Sequence, residues 1–140
     1  MNHLRGMNSL QVLDLRGTSV TDAGMEKLTW LTNLKELWLG DTNITDVGLA
    51  HLSGLTELAT LDISNTKVTD AGLEHVTGLL RLEALWLANT RVTDVGLMQL
   101  TGLRKLEILI LGGTHITGQG LKRLRQASPN LVTDQLPMLR

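Results

Sequence analysis

The stretch Leu34-Lys35-Glu36-Leu37-Trp38-Leu39-Gly40-Asp41-Thr42-Asn43-Ile44-Thr45-Asp46-Val47-Gly48-Leu49 decides the fold, because its two halves obey different periods. Leu37 and Leu39 alternate with Glu36 and Trp38, which is the pattern of a short strand with one buried face. After Gly48 the apolar residues Leu49, Leu52 and Leu55 are spaced by three, so one side of a helical turn or two is buried. Thr45 and Asp46 stand between the halves, where a threonine hydroxyl caps free N–H groups and a carboxylate suits the positive helix end. Gly54 lies near the helix end, where a left-handed glycine is expected. The unit reads strand, turn, short helix, return.

Working outward, the same unit recurs every 24 residues without slipping. Leu10, Leu34, Leu58, Leu82 and Leu106 each open an L-x-x-L-x-[LI] hexad, and a threonine follows each hexad at Thr18, Thr42, Thr66, Thr90 and Thr114. A [VI]-T-[DG]-x-G-[LM] block comes next, as in Val20-Thr21-Asp22-Ala23-Gly24-Met25. A fixed period of this length signals stacked units that share one continuous core. Composition agrees: Phe and Tyr are absent and Trp occurs three times, so aliphatic side chains must build many similar layers.

The L-x-x-L-x-L-x-x-T frame with its I/V-T-D-x-G-L extension resembles the leucine-rich-repeat family, and within it the 24-residue bacterial repeats of the GALA type, related to cysteine-containing repeats. The resemblance implies an α/β fold, a right-handed leucine-rich-repeat solenoid or horseshoe with a parallel concave sheet and short convex helices. It also implies that the Thr18 column hydrogen-bonds loop backbone inside the solenoid. No F-box precedes the repeats, so a ubiquitin-ligase role does not carry over. The expected organisation is a single solenoid over 1–140, with a partial repeat at 1–9, full repeats at 10–33, 34–57, 58–81, 82–105 and 106–130, and a C-terminal tail at 131–140.

The ends carry expectations of their own. His3-Leu4-Arg5-Gly6 aligns with His51-Leu52-Ser53-Gly54, which puts the start inside the helix of an incomplete, uncapped repeat. The chain is then a fragment of a larger multidomain protein, or a structural, self-assembling unit forming a homo-oligomer through that N-terminal end. At the other end Lys122, Arg123 and Arg125 charge the last helix. One inserted residue near Pro129 is expected to place Asp134 where a core leucine would fall.

Charge narrows the partner class. The net charge is −1, which argues against nucleic acid or a membrane surface as partner, although the first 70 residues are acidic and the last 70 basic. The absence of cysteine leaves no disulfide framework or thiolate site. No signal-peptide core or apolar run of membrane-spanning length is seen, so the compartment is unknown, with the cytoplasm slightly favoured.

Function is sought in columns that stacking does not explain. Outward strand positions form a central ladder of Asp14, Trp38, Asp62, Trp86 and Ile110. It is flanked by Val12, Glu36, Thr60, Ala84 and Ile108 on one side and by Arg16, Gly40, Ser64, Ala88 and Gly112 on the other. Two indoles about 10 Å apart with a carboxylate between them suggest a binding face for a protein or peptide, with Asp62 pairing a cation held against the rings. The candidate contact set is Asp14, Glu36, Trp38, Asp62, Trp86, Ile108 and Ile110. The plainer alternative is that Trp38 and Trp86 only cover each other and neighbouring strands. Trp30, standing where later repeats have glycine, is expected to alter the helix end or shield the first layer.

Chemical motifs dissolve into the repeat. Gly112-Gly113-Thr114-His115 lacks the G-K-[ST] ending of a phosphate loop. His51 and His75 share a column without an evident third ligand. Asp22, Asp46, Asp70 and Asp94 are better read as caps than as acid–base or calcium groups. The expectation is a non-catalytic protein-binding scaffold, not an enzyme, with no cofactor.

Overall fold

The computed structural model describes residues 7–135. Expectations about residues 1–6 of the partial repeat and 136–140 of the tail lie outside the described residues. Six strands form one parallel sheet in sequence order: β1 (Val12–Asp14), β2 (Glu36–Trp38), β3 (Thr60–Asp62), β4 (Ala84–Trp86), β5 (Ile108–Ile110) and β6 (Val132–Thr133). Every pairing keeps the 24-residue register, from Leu13↔Leu37 through Leu109↔Thr133. The helices α1 (Asp22–Met25), α2 (Asp46–Leu49), α3 (Asp70–Leu73), α4 (Asp94–Gln99) and α5 (Gly118–Ala127) return the chain between strands.

The core lies between sheet and helices as continuous aliphatic columns. Leu37, Leu61, Leu85 and Leu109 are fully buried from the strands, and Leu49, Leu73 and Leu97 meet them from the helices. The spacing of apolar residues by three becomes 3-10 turns at Glu26–Trp30, Ala50–Leu52 and Leu100–Gly102. Three residues per turn stack every third side chain on one line, which suits a pattern written in threes better than an α-helix does. In the first repeat Leu10, Leu13, Leu15 and Val20 are only partly buried against this core.

Three local expectations are corrected. Gly54, Gly78 and Gly102 do not adopt the left-handed conformation. The left-handed residues are Gly17, Asp41, Asn65, Asn89 and Gly113, at the turn that follows each strand. Only residue types that tolerate positive φ occupy that column. Their N–H groups reach the next repeat: Gly17 donates to the Gly40 carbonyl at 3.0 Å and Asn89 to Gly112 at 2.7 Å.

The second correction concerns the C-terminal register. No residue is inserted in the strand alignment, since Ile108 pairs with Val132 and Leu109 with Thr133. Asp134 therefore follows in the outward ladder, not in the core. Its carboxylate accepts from the N–H groups of Leu111 at 2.7 Å and Gly112 at 2.9 Å. In earlier repeats the equivalent of the Leu111 amide donates to a neighbouring carbonyl, as Leu87 does to Ile110 at 2.8 Å. Just past the short strand β6, a side chain thus stands in for the backbone acceptor that earlier repeats use.

The third correction concerns the aspartates. Thr45, Thr69, Thr93 and Thr117 do cap their helices, accepting from Val47, Ala71, Val95 and Gly120 N–H groups, whereas Thr21 makes no such bond. The carboxylates do something else. Asp22 accepts from the Thr45 N–H at 2.8 Å and from its hydroxyl at 2.5 Å, so it clasps the following repeat. Asp46, Asp70 and Asp94 repeat the clasp on Thr69, Thr93 and Thr117. Gly48, Gly72, Gly96 and Gly120 make room for it, because a Cβ at any of them would collide with the preceding aspartate. The ladder ends at α5, where Gly118 stands in the aspartate position.

The Thr18 column also acts within its own repeat. Each hydroxyl donates to the carbonyl three residues earlier, as Thr42 does to Leu39 at 2.7 Å and Thr66 to Ile63 at 2.6 Å. These bonds satisfy the carbonyl left behind as the strand turns.

Candidate functional site

The sheet face turned away from the core carries the outward strand residues. Parallel register puts Asp14, Trp38, Asp62, Trp86 and Ile110 in one row and Val12, Glu36, Thr60, Ala84, Ile108 and Val132 in the next. All seven expected contact residues therefore lie on one surface. Their environments differ sharply.

The two indoles do not stand apart. Their strands are separated by β3, yet the side chains lean together until the ring centroids are 5.3 Å apart, with planes tilted by 48°. Tilted contact at this distance is favourable for aromatic quadrupoles. Asp62, on the strand between, is 8% exposed and is held by accepting from the Ser64 N–H at 2.9 Å. One of its oxygens lies so near Gly40 that a Cβ there would sit 2.8 Å from it. The cation pocket expected at Asp62 is not the arrangement found.

A cation is nevertheless present, supplied by the chain itself. The Arg16 guanidinium lies 5.1 Å from the Trp38 ring centroid. It is oriented by a two-pronged bond to Asp14, with Nη2 donating to Oδ2 at 2.7 Å and Nε to Oδ1 at 3.0 Å. The backbone N–H of Arg16 also donates to that carboxylate at 3.1 Å. Arg16 hydrogen-bonded beside it holds the Asp14 carboxyl below the usual carboxylate range, and the same bond raises the already high pKa of Arg16. The Trp38 indole N–H donates to Glu36 Oε1 at 3.3 Å.

The row is thus divided into two halves. Toward the N-terminus, Asp14, Arg16, Glu36 and Trp38 satisfy one another, and Val12 is the one exposed apolar residue beside them. Toward the C-terminus the surface turns apolar: Ile108 is 39% exposed and Val132 62% exposed, next to half-buried Trp86 and Ile110. Ala88 and Gly112 beside Trp86 and Ile110 keep that area low. Trp30 lies elsewhere, ending a 3-10 turn and 48% exposed.

Two features escaped the sequence reading although signals for them exist. Arg16 stands one place from the ladder, but its stacking on Trp38 crosses repeats and needs coordinates. Lys67, Arg91 and His115 recur at the 24-residue spacing as a basic column just beyond the strands. Isolated parallel bridges, Thr69↔Arg91 and Thr93↔His115 among them, fix these residues in line, and all three are exposed. Among the described residues no three His, Cys, Asp or Glu side chains converge as metal ligands. No described helix is long and apolar enough to cross a membrane.

An open parallel sheet backed by short helices, in which each strand and each helix stacks on that of the next repeat, defines a solenoid repeat protein. Leucine-rich-repeat family models match it, a two-copy model at residues 32–75 and a single-repeat model at 6–28 and 102–124, and with this fold they make it a leucine-rich-repeat solenoid. Internalin C2 of Listeria monocytogenes is similar over 95% of this chain at 29% identity, with a TM-score of 0.77. A leucine-rich-repeat protein of Leptospira interrogans shares the fold over 96% of the chain, at 24% identity and a TM-score of 0.77. The chain spans 54% and 33% of the lengths of those two structures. No curated protein sequence matches it at a comparable level.

Proposed function

We propose that the chain is a non-catalytic recognition module that holds a protein or peptide partner on its strand face, over Trp38 and Trp86. The observation that carries this reading is an aromatic pair the core does not need. The inward strand residues Leu37, Leu61, Leu85 and Leu109 are fully buried without any indole among them, while both tryptophans are kept at the surface. Large aromatics held rigid at a surface concentrate binding energy. Ile108 and Ile110 extend the contact, Glu36 and Asp14 orient its polar side, and Asp62 lies on the strand between the two rings. Leucine-rich-repeat proteins generally serve protein–protein interaction, and solenoids use such extended strand faces for it. We also assign the repeats to the 24-residue bacterial, GALA-like type, supported by the unbroken 24-residue register.

The test is affinity capture from a bacterial lysate by the protein and by its Trp38→Ala/Trp86→Ala variant, quantified protein by protein. Circular dichroism must show equal folding. Loss of a hot-spot indole costs about 2 kcal/mol or more, roughly thirtyfold in affinity, so specific partners disappear from the variant. An unchanged capture profile with a folded variant overturns the proposal.

A further inference from the structure

We infer that the partner segment is acidic, with an apolar side chain seated on Trp86 and Ile110 and its carboxylates running along Lys67, Arg91 and His115. The inference rests on the strand-face reading above and adds the chemistry of the partner. Three observations carry it.

First, the N-terminal half of the face is already occupied by its own contacts. Arg16 covers Trp38, Asp14 neutralises Arg16, and Glu36 takes the Trp38 N–H. Apart from Val12, which is 51% exposed at the far end beside Glu36, the exposed apolar area lies at Trp86, Ile108, Ile110 and Val132, on the last strands.

Second, a column of two cations and an imidazole runs past the ends of β3, β4 and β5, five residues after each strand. Lys67, Arg91 and His115 occupy three consecutive repeats, whereas the first two repeats have Ser19 and Asn43 in that column. Backbone bonds hold them in file: Lys67 N–H donates to Ile44, Arg91 to Val68 and His115 to Val92, at 3.0 to 3.1 Å. Stacked repeats put neighbouring members of the column roughly 5 Å apart at the backbone, and their long side chains can spread to meet alternate carboxylates of an extended peptide about 7 Å apart.

Third, the nearby acids do not cancel these charges. Asp70 and Asp94 point into the following repeat, each engaged by a threonine hydroxyl and amide. Asp62 is buried and accepts from the Ser64 N–H. The only ion pairs among the described residues are Arg16–Asp14 and Arg81–Glu57, so the charges of Lys67 and Arg91 are left unpaired there, with the His115 imidazole next in file.

A nucleic acid fits this surface less well than a peptide. Single strands are gripped by stacking bases on open aromatic faces. Here Trp38 has Arg16 and Trp86 against it, and the chain as a whole carries a charge of −1.

The experiment pans a random 12-residue peptide display library against the intact protein, then measures the enriched peptides by titration. The expected peptides combine an apolar or aromatic residue with an excess of Asp and Glu. Their affinity falls about three- to tenfold in Lys67→Gln/Arg91→Gln, and it weakens as salt is raised. It falls by tenfold or more in Trp86→Ala and in Ile110→Asp, two variants that guard against misfolding of either one. Peptides with no acidic excess, or indifferent to Lys67→Gln/Arg91→Gln, overturn the acidic partner. If they still need Trp86, the strand-face reading stands. Peptides indifferent to both sets, or no enrichment over an unrelated protein, overturn both. An oligothymidylate that binds more tightly than any enriched peptide in the same buffer overturns the peptide in favour of a nucleic acid.

Discussion

Removing one carboxylate of the inter-repeat ladder, by Asp70→Ala, tests the role assigned to it most directly. Asp70 accepts two bonds from Thr93, at 2.8 Å from the N–H and 2.5 Å from the hydroxyl, in a half-buried setting. Hydrogen bonds to a charged acceptor contribute about 1.5–3 kcal/mol each. Partial exposure lets water replace part of that, so the loss expected is about 2–4 kcal/mol. Asp70→Asn keeps an acceptor of the same shape without the charge and should lose about half as much. A carboxylate that served only the start of its own helix would be worth about 0.3–1 kcal/mol and would not sense Thr93. Urea unfolding followed by circular dichroism measures the difference, with the slope against urea required to stay constant. A cycle with Thr93→Ala then isolates the pair, and the expected coupling is about 1–2 kcal/mol. A loss below about 1 kcal/mol together with coupling near zero would refute the clasp and restore the simple helix-capping account.

Two further outcomes follow from the same geometry. Gly72→Ala drives a methyl group into the Asp46 carboxylate and to 3.1 Å from Leu49, so it should cost about 1–3 kcal/mol. Gly78→Ala meets nothing within 4 Å and is not left-handed, so thermal unfolding should show it neutral or more stable by up to about 1 kcal/mol. Equal effects of the two would mean that the glycine column does not exist to admit the aspartate. For the Asp14–Arg16 pair, carboxyl NMR titration should place Asp14 below the ordinary carboxylate range, and Arg16→Gln should bring it back up. Because the folded value is depressed, the pair's contribution is present above the unfolded value and is lost as pH falls through the folded one. Both groups are exposed, so added salt should raise the Asp14 value as well. A titration unmoved by Arg16→Gln would show that Arg16 is not held at Trp38 by this carboxylate.

The 24-residue period by itself determined the strands, the inward leucine columns, the threonine turns and which residues share the outward face. Each of these depends on residues near in sequence or on strict repetition, and both can be read along the chain. What polar side chains do with that placement was decided only by the tertiary structure. Asp22 through Asp94 look like helix caps because they begin helices, but their partners are threonines 23 residues onward, brought near by stacking. Gly54, Gly78 and Gly102 sit where helices end, yet the left-handed turn falls after the strands instead, at Asp41, Asn65 and Asn89. Asp134 looked like a core error and instead takes the Leu111 and Gly112 amides with its carboxylate, just past the short strand β6. At the candidate site the sequence placed Trp38, Asp62 and Trp86 in one row at strand spacing. Packing brought the two rings together across β3 and laid Arg16 over Trp38, because long side chains span distances that backbone register leaves open.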